Sequence, residues 1–201
     1  MHKGSRQRNL GGQRGWSGRH PILACFTLLS MSRQSYRFEP LAKALKRILE
    51  PSKDIASAAP LFLQAVAKCL DGEWAAYWKV NSAEHVLRAI ATWSDSSEPL
   101  KPLLRETETR ALTLNEGAPG RVWSSGRPLC TTDLVRDMRL PRSLYAKAAG
   151  FSSGIWFSIR YHQMTCGVIE SLAWPGDQHF LNQLMVLGET IGEMLPEGRQ
   201  T

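Results

Sequence analysis

The sequence predicts an α+β fold, an antiparallel sheet with helices covering one or both of its faces. Three observations carry this. Apolar residues recur at helical spacing near both ends of the folded region. Two pairs of aromatic and branched runs are each joined by a short polar turn. Strands joined by so short a turn pair antiparallel, because parallel neighbours need a crossover of a dozen residues or more.

Taken in order, Phe38, Leu41, Leu45, Ile48 and Leu49 form one helical stripe that Pro51 ends. A second helix is expected from around Ser57, with Pro60 in its first turn, through Leu61, Leu63, Val66, Cys69 and Leu70 to a stop at Gly72. Trp74 to Val80 and His85 to Trp93 read as a hairpin around Asn81-Ser-Ala-Glu84. A polar connection follows, with a short helix from Lys101 to Arg110. Pro128 to Thr132 reads as a strand, Arg142 to Ala149 as a short helix stopped by Gly150, and Gly154 to Ile159 as a strand. Cys166 to Leu172 pairs with that strand across Tyr161-His-Gln-Met164, and a helix capped by Asp177 runs through Phe180, Leu184, Leu187, Ile191 and Leu195.

Length and charge narrow the function. The 201 residues suit one core plus some extra chain. The net charge is +7, but residues 1–35 hold Lys3, Arg6, Arg8, Arg14, Arg19 and Arg33 with no Asp or Glu, so the body carries 19 basic against 18 acidic residues. Clustered cations are what a phosphate backbone requires, and no nucleic-acid partner is expected for the folded body. No apolar run reaches membrane-spanning length, so no membrane partner is expected either. The run Pro21 to Met31 has the length of a signal-peptide core, but the basic segment before it is long, Trp16 interrupts that segment, and no small-x-small cleavage site follows. Met31 is therefore read as the native start, and 1–35 as a disordered basic tail. Cys25, Cys69, Cys130 and Cys166 are dispersed, with no disulfide framework or metal spacing, which places the chain in reducing cytosol.

The stretch Asn115-Glu-Gly-Ala-Pro-Gly-Arg-Val-Trp123 is the richest in glycine and proline. A nucleotide-binding loop would need Gly-x4-Gly-Lys-Ser/Thr, and here no Lys-Ser/Thr follows while Pro119 removes a backbone donor. Asp133, Arg136 and Asp137 are read as turn caps and ion pairs, since catalytic carboxylates need burial or a partner that shifts their pKa. His85, His162 and His179 fall at element ends and turns, where a solvated histidine is the ordinary case.

The residues Asn115 to Trp123, then Ser125-Gly-Arg-Pro128, Asp133, Leu140-Pro-Arg142, Phe157-Ser-Ile159 and Gly167-Val-Ile-Glu170, in that order and spacing, resemble a GAF domain. The similarity runs from about Ile55 to Leu195. It is nearest to the bacterial sensor type with a tryptophan-rich first hairpin, matched here by Glu73 to Asn81 and Ala91-Thr-Trp93. The resemblance implies a sheet of five or six strands, N- and C-terminal helices on one face, and short helices and loops enclosing a small-molecule pocket on the other. It divides the chain into the tail 1–35, an N-terminal amphipathic helix 36–51, a GAF-like domain 55–195 and a tail 196–201.

The resemblance also implies a function, a sensory or regulatory module in signal transduction that binds a small molecule, a partner protein, or both, with no catalytic output domain. No catalytic residue and no metal site are assigned. Trp93, Trp123, Leu129 and Trp156 are expected to border the pocket, with Arg142 at its mouth favouring a planar or anionic ligand, and Gly117, Pro119 and Gly120 forming the cover. Most of the aromatic residues would still be core. The enzymatic alternative, a free methionine sulfoxide reductase, needs a cysteine where Pro119 stands and another near Ala146, and Cys130 and Cys166 match neither place. Bilin or haem attachment lacks a suitable cysteine or histidine, so no cofactor is expected. A third reading is a ligand-free dimerisation module, pairing the stripes Leu41/Leu45/Ile48 and Leu184/Leu187/Ile191 between subunits. The bland reading is that both stripes cover their own sheet.

Overall fold

The computed structural model describes residues 38–52, 54–95, 100–136, 142–173 and 181–195, all within the folding unit Gln34–Thr201. The expected basic tail 1–35, the Asp177 cap, His179, Phe180, Leu140, Asp137 and the tail 196–201 lie outside the described residues. No helix among the described residues is long and apolar enough to cross a membrane.

The chain begins with helix α1 (38–49) and α2 (Ile55–Cys69). Asp54 caps α2, its carboxylate accepting the Ser57 backbone N–H at 2.9 Å, so the helix starts earlier than the Ser57 expected from sequence. Pro60 consequently sits inside α2 beyond the first turn. It is tolerated because it and Ala56, whose carbonyl loses its helical donor, both face solvent.

Strands β1 (Trp74–Asn81) and β2 (Val86–Ser94) form the first hairpin, closed by the Asn81 side-chain oxygen, which accepts from the N–H groups of Ala83 and Glu84. The connection supplies α3 (Lys101–Thr109), the two-residue strand β3 (Ala111–Leu112), α4 (Gly117–Ser125), β4 (Leu129–Thr131) and α5 (Ser143–Ala148). The second hairpin, β5 (Gly154–Tyr161) and β6 (Met164–Leu172), turns through His162 and Gln163, both with φ in the left-handed region. That is the turn whose twist matches paired strands. Helix α6 (Leu181–Met194) ends the described chain.

The six strands form one antiparallel sheet in the order β3-β2-β1-β6-β5-β4. The two hairpins lie side by side, joined by β1 and β6. Alternation along each strand then creates two cores. On one face Tyr77, Ile155, Phe157, Ile159 and Ile169 meet α1, α2 and α6. On the other, Trp78, Trp156, Val168 and Leu172 meet the connection. The expected layering, terminal helices on one face and short helices on the other, is the layering observed.

The stripes proposed to pair between subunits are consumed within the chain. Leu41, Leu45, Leu184, Leu187 and Ile191 are all buried in the first core, leaving only Ile48 half-buried. Helix α6 lies so close to β5 at Gly188 and Gly192 that no side chain fits at those two positions. A Cβ at Gly188 would stand 2.0 Å from the Ser158 carbonyl oxygen, and one at Gly192 2.0 Å from that of Arg160. Gly188→Ala should therefore lower the unfolding free energy by about 1–3 kcal/mol or more. Val186→Ala, on the exposed side of the same helix, should stay within about 0.5 kcal/mol. Urea denaturation of the two variants checks both values.

Candidate functional site

Between the sheet and the connection lies a cavity of about 20 Å³, room for about one water molecule. Its floor is Trp156 of β5 with Glu170 and Leu172 of β6. The first turn of α4, Gly117-Ala118-Pro119, forms one wall, and Arg142, Ser143 and Ala146 at the start of α5 form another. Leu103, Leu112 and Leu134 complete an otherwise apolar lining.

The polar centre follows from one strand position. Val168, Glu170 and Leu172 share a face of β6, so a carboxylate is turned into an apolar core. Its neighbours in register are Ala76 on β1 and Trp156 on β5, and it is 1% exposed. Burial at that depth requires partners. The Trp78 indole Nε1 donates to Glu170 Oε2 at 2.9 Å, and the Arg142 guanidinium Nη2 donates to the same oxygen in a buried ion pair. Arg142 Nη1 also donates to the Thr107 hydroxyl at 2.8 Å, and that hydroxyl donates to the Leu103 carbonyl at 2.7 Å. The guanidinium carbon stands 4.7 Å from the centre of the Trp78 ring, a cation–π contact. One charge pair thus ties α3 and α5 to the sheet.

The glycine-rich stretch is the start of a helix. Gly117 has φ +61, which favours glycine, and Gly120 presses so close that a Cβ would stand 2.4 Å from the Thr113 carbonyl oxygen. Pro119 occupies the third helical position, where no backbone donor has an intrahelical acceptor. No side chain caps α4. Glu116 instead accepts from the Thr113 N–H and hydroxyl at 3.0 and 3.1 Å.

Of the residues expected at a pocket, Arg142, Trp156, Gly117 and Pro119 meet at this cavity, and Gly120 is buried just behind it. Arg142 is placed differently from expectation. It is 8% exposed and bound to Glu170, not free at a mouth. Trp123 and Leu129 are half-buried at the edge of the cavity-side core, and neither belongs to the wall.

Trp93 lies on the opposite face, packed toward the helices. The register explains it. Tyr77 pairs with Ala91 but Trp78 with Ala89, so Ile90 is an extra residue in β2, and a one-residue bulge turns Ala91 and Trp93 to the other side of the sheet. Phe157, next to Trp156 on β5, faces the helices by ordinary alternation.

The remaining titratable groups are peripheral. Asp133 accepts the Arg136 backbone N–H at 2.9 Å, a turn cap. His85 and His162 are exposed on the hairpin turns. No group of three or more His, Cys, Asp or Glu among the described residues could hold a metal ion. Cys130 and Cys166 both pack toward the helices, across the sheet from the cavity, and burial pushes the Cys130 thiol up from its ordinary pKa.

No family model and no curated protein matches the sequence. The similarity lies in the fold. The nlh2 GAF domain of A. aeolicus superposes with a TM-score of 0.62 at 14% identity, covering 80% of this chain and 96% of that one. The GAF domain of a phosphoenolpyruvate-protein phosphotransferase from Coxiella burnetii gives 0.65 at 10%, covering 82% and 96%. Free methionine-R-sulfoxide reductase from Neisseria meningitidis, solved in complex with its substrate, gives 0.64 at 12%, covering 84% and 93%. The chain has the GAF fold, a scaffold shared by signalling domains and a reductase.

Two outcomes are expected. Arg142→Met should cost about 3–5 kcal/mol, because it leaves the Glu170 carboxylate buried without its cation. Adding Glu170→Gln should recover part of that loss, which a double-mutant cycle in urea measures. Cys130 should alkylate with iodoacetamide more slowly at pH 7.5 than a cysteine in a short peptide, since a raised pKa leaves less thiolate.

Proposed function

We propose that the chain is a cytosolic sensory or regulatory module of the GAF kind, and that it takes a small molecule beneath α4. The observation that carries this is the cavity itself: an apolar space between sheet and connection with one buried ion pair and a tryptophan in its wall. Ligand sites combine such linings with a few oriented polar groups. The size of the cavity adds a condition. Occupied sites measure roughly 300–1,000 Å³, so binding must move the cover by lifting α4 or α5 from the sheet. Signal transfer in this reading is that movement, read by a partner chain in contact with the connection or with an exposed helix surface.

Reductase chemistry is the second reading, favoured by the shared fold with a substrate-bound methionine sulfoxide reductase. Three features speak against it here. Among the residues that line the cavity none is a cysteine, Cys130 and Cys166 face the helices, and the Cys130 thiol is disfavoured as a thiolate.

Native mass spectrometry of the full chain, purified gently, tests the proposal. A retained small mass released on denaturation is the expected result. A bare chain whose melting temperature is unmoved by a panel of metabolites would turn the proposal toward an interaction module with a filled core.

A further inference from the structure

The cavity wall carries more hydrogen-bond donors than acceptors. Trp156 is 2% exposed and forms part of the floor, and its indole Nε1 has no hydrogen-bond partner. Buried indole N–H groups ordinarily find one. The first turn of α4 forms the adjoining wall. The N–H groups of Gly117 and Ala118 have no intrahelical acceptor, Pro119 has no N–H, the Gly120 N–H donates to the Glu116 carbonyl, and Glu116, the N-cap residue, spends its carboxylate on Thr113. Ser143 adds a hydroxyl that can donate. The full charges in the wall, Arg142 and Glu170, neutralise each other. What is left over is the donor surplus and the positive end of α4, equivalent to about half a charge.

That balance selects a class of ligand. A cation meets the wrong end of the α4 dipole and the Arg142 guanidinium, with Glu170 Oε1 as the one carboxylate oxygen left to accept it. A dianion meets the buried Glu170 carboxylate with only half a charge to offset it. A single negative charge spread over two acceptor oxygens matches the surplus, and two oxygens can take the α4 amides and the Trp156 N–H together.

We propose, building on the reading that this cavity takes a small molecule, that the group it accepts is a carboxylate, bound by the α4 first turn and the Trp156 indole N–H. Arg142 and Glu170 stay paired and hold the wall in place. Specificity for one carboxylate compound over another then falls to the apolar part of the lining, with Leu103, Leu112 and Leu134 reading the carbon skeleton.

Proton–nitrogen correlation spectra of the full chain test this, because indole N–H signals are resolved from backbone amides. The signal lost in Trp156→Phe identifies the residue, and should that variant fail to fold, single Trp→Phe variants of the other tryptophans identify it by elimination. Sodium acetate, acetamide, inorganic phosphate and benzene are titrated separately at constant ionic strength. The expected result is a saturable shift of the Trp156 signal by acetate, about tenfold tighter than by acetamide or phosphate, since a charged acceptor roughly doubles the strength of each bond. Equal binding of acetamide, or tighter binding of phosphate, overturns the carboxylate. A shift by benzene but not acetate overturns it too, while leaving the small-molecule reading intact. No shift with any of the four removes both.

Discussion

A carboxylate buried in an apolar strand face has to be paired, and the pairing of Glu170 organises everything on that side of the sheet. Its cation does not come from a neighbouring strand. It comes from Arg142 at the start of α5, 28 positions earlier in the chain, and Arg142 in turn reaches Thr107 of α3. Two helices of a long connection, which local propensity alone would leave free to pack in several ways, are thereby fixed over particular strands. A buried pair of this kind gives modest net stability, because desolvating both charges offsets most of their attraction. Its value lies in what it forbids. Any packing that separates Arg142 from Glu170 leaves a bare charge in the core.

The two faces of the sheet are held by different physics. Toward α1, α2 and α6 the contact is apolar and close, down to helix backbone against strand backbone at Gly188 and Gly192. Toward the connection the contact is made by short helices around a polar centre, and the cavity lies among them. Displacing an element on the connection side breaks the Arg142–Glu170 pair, whereas displacing α6 breaks an apolar contact. The exposed Leu144 on α5 and the two-residue strand β3 belong to the connection side.

Which parts were legible in the sequence follows from which forces are local. Helical and strand periodicities are local, and the order of elements and the two hairpins follow from them, while the layer each helix occupies was implied by the family resemblance. The face that Trp93 occupies is not local. It depends on Ile90 bulging where β2 pairs with β1, and nothing within the run Val86 to Trp93 marks which residue will be the extra one. The helix stripes were ambiguous for a different reason: Leu41, Leu45, Leu184 and Leu187 present the same pattern whether they cover their own sheet or a partner's. The start of α2 turned on a cap, since Asp54 lies upstream of the Ser57 that apolar spacing favoured. Glu170 was readable in principle. A charged residue in phase with Val168 and Leu172 announces a buried carboxylate that needs a cation, and Arg142 was already in view as a site residue without its partner.

The same sharing of residues makes occupancy and cover position inseparable. Arg142 and Glu170 are at once the tie that holds α5 down and part of the cavity wall, and the first turn of α4 closes the space beside them. A molecule larger than a water cannot enter without displacing one of these elements. Once inside, it contacts the displaced element and not only the sheet. Its affinity therefore differs between the two arrangements, which is the condition for a ligand to shift a conformational equilibrium. An apolar cavity lined by strands alone would bind without reporting. Arg142 and Ser143 belong to the cover while Glu170 and Trp156 belong to the sheet, so a ligand that met both would also change how the cover is held.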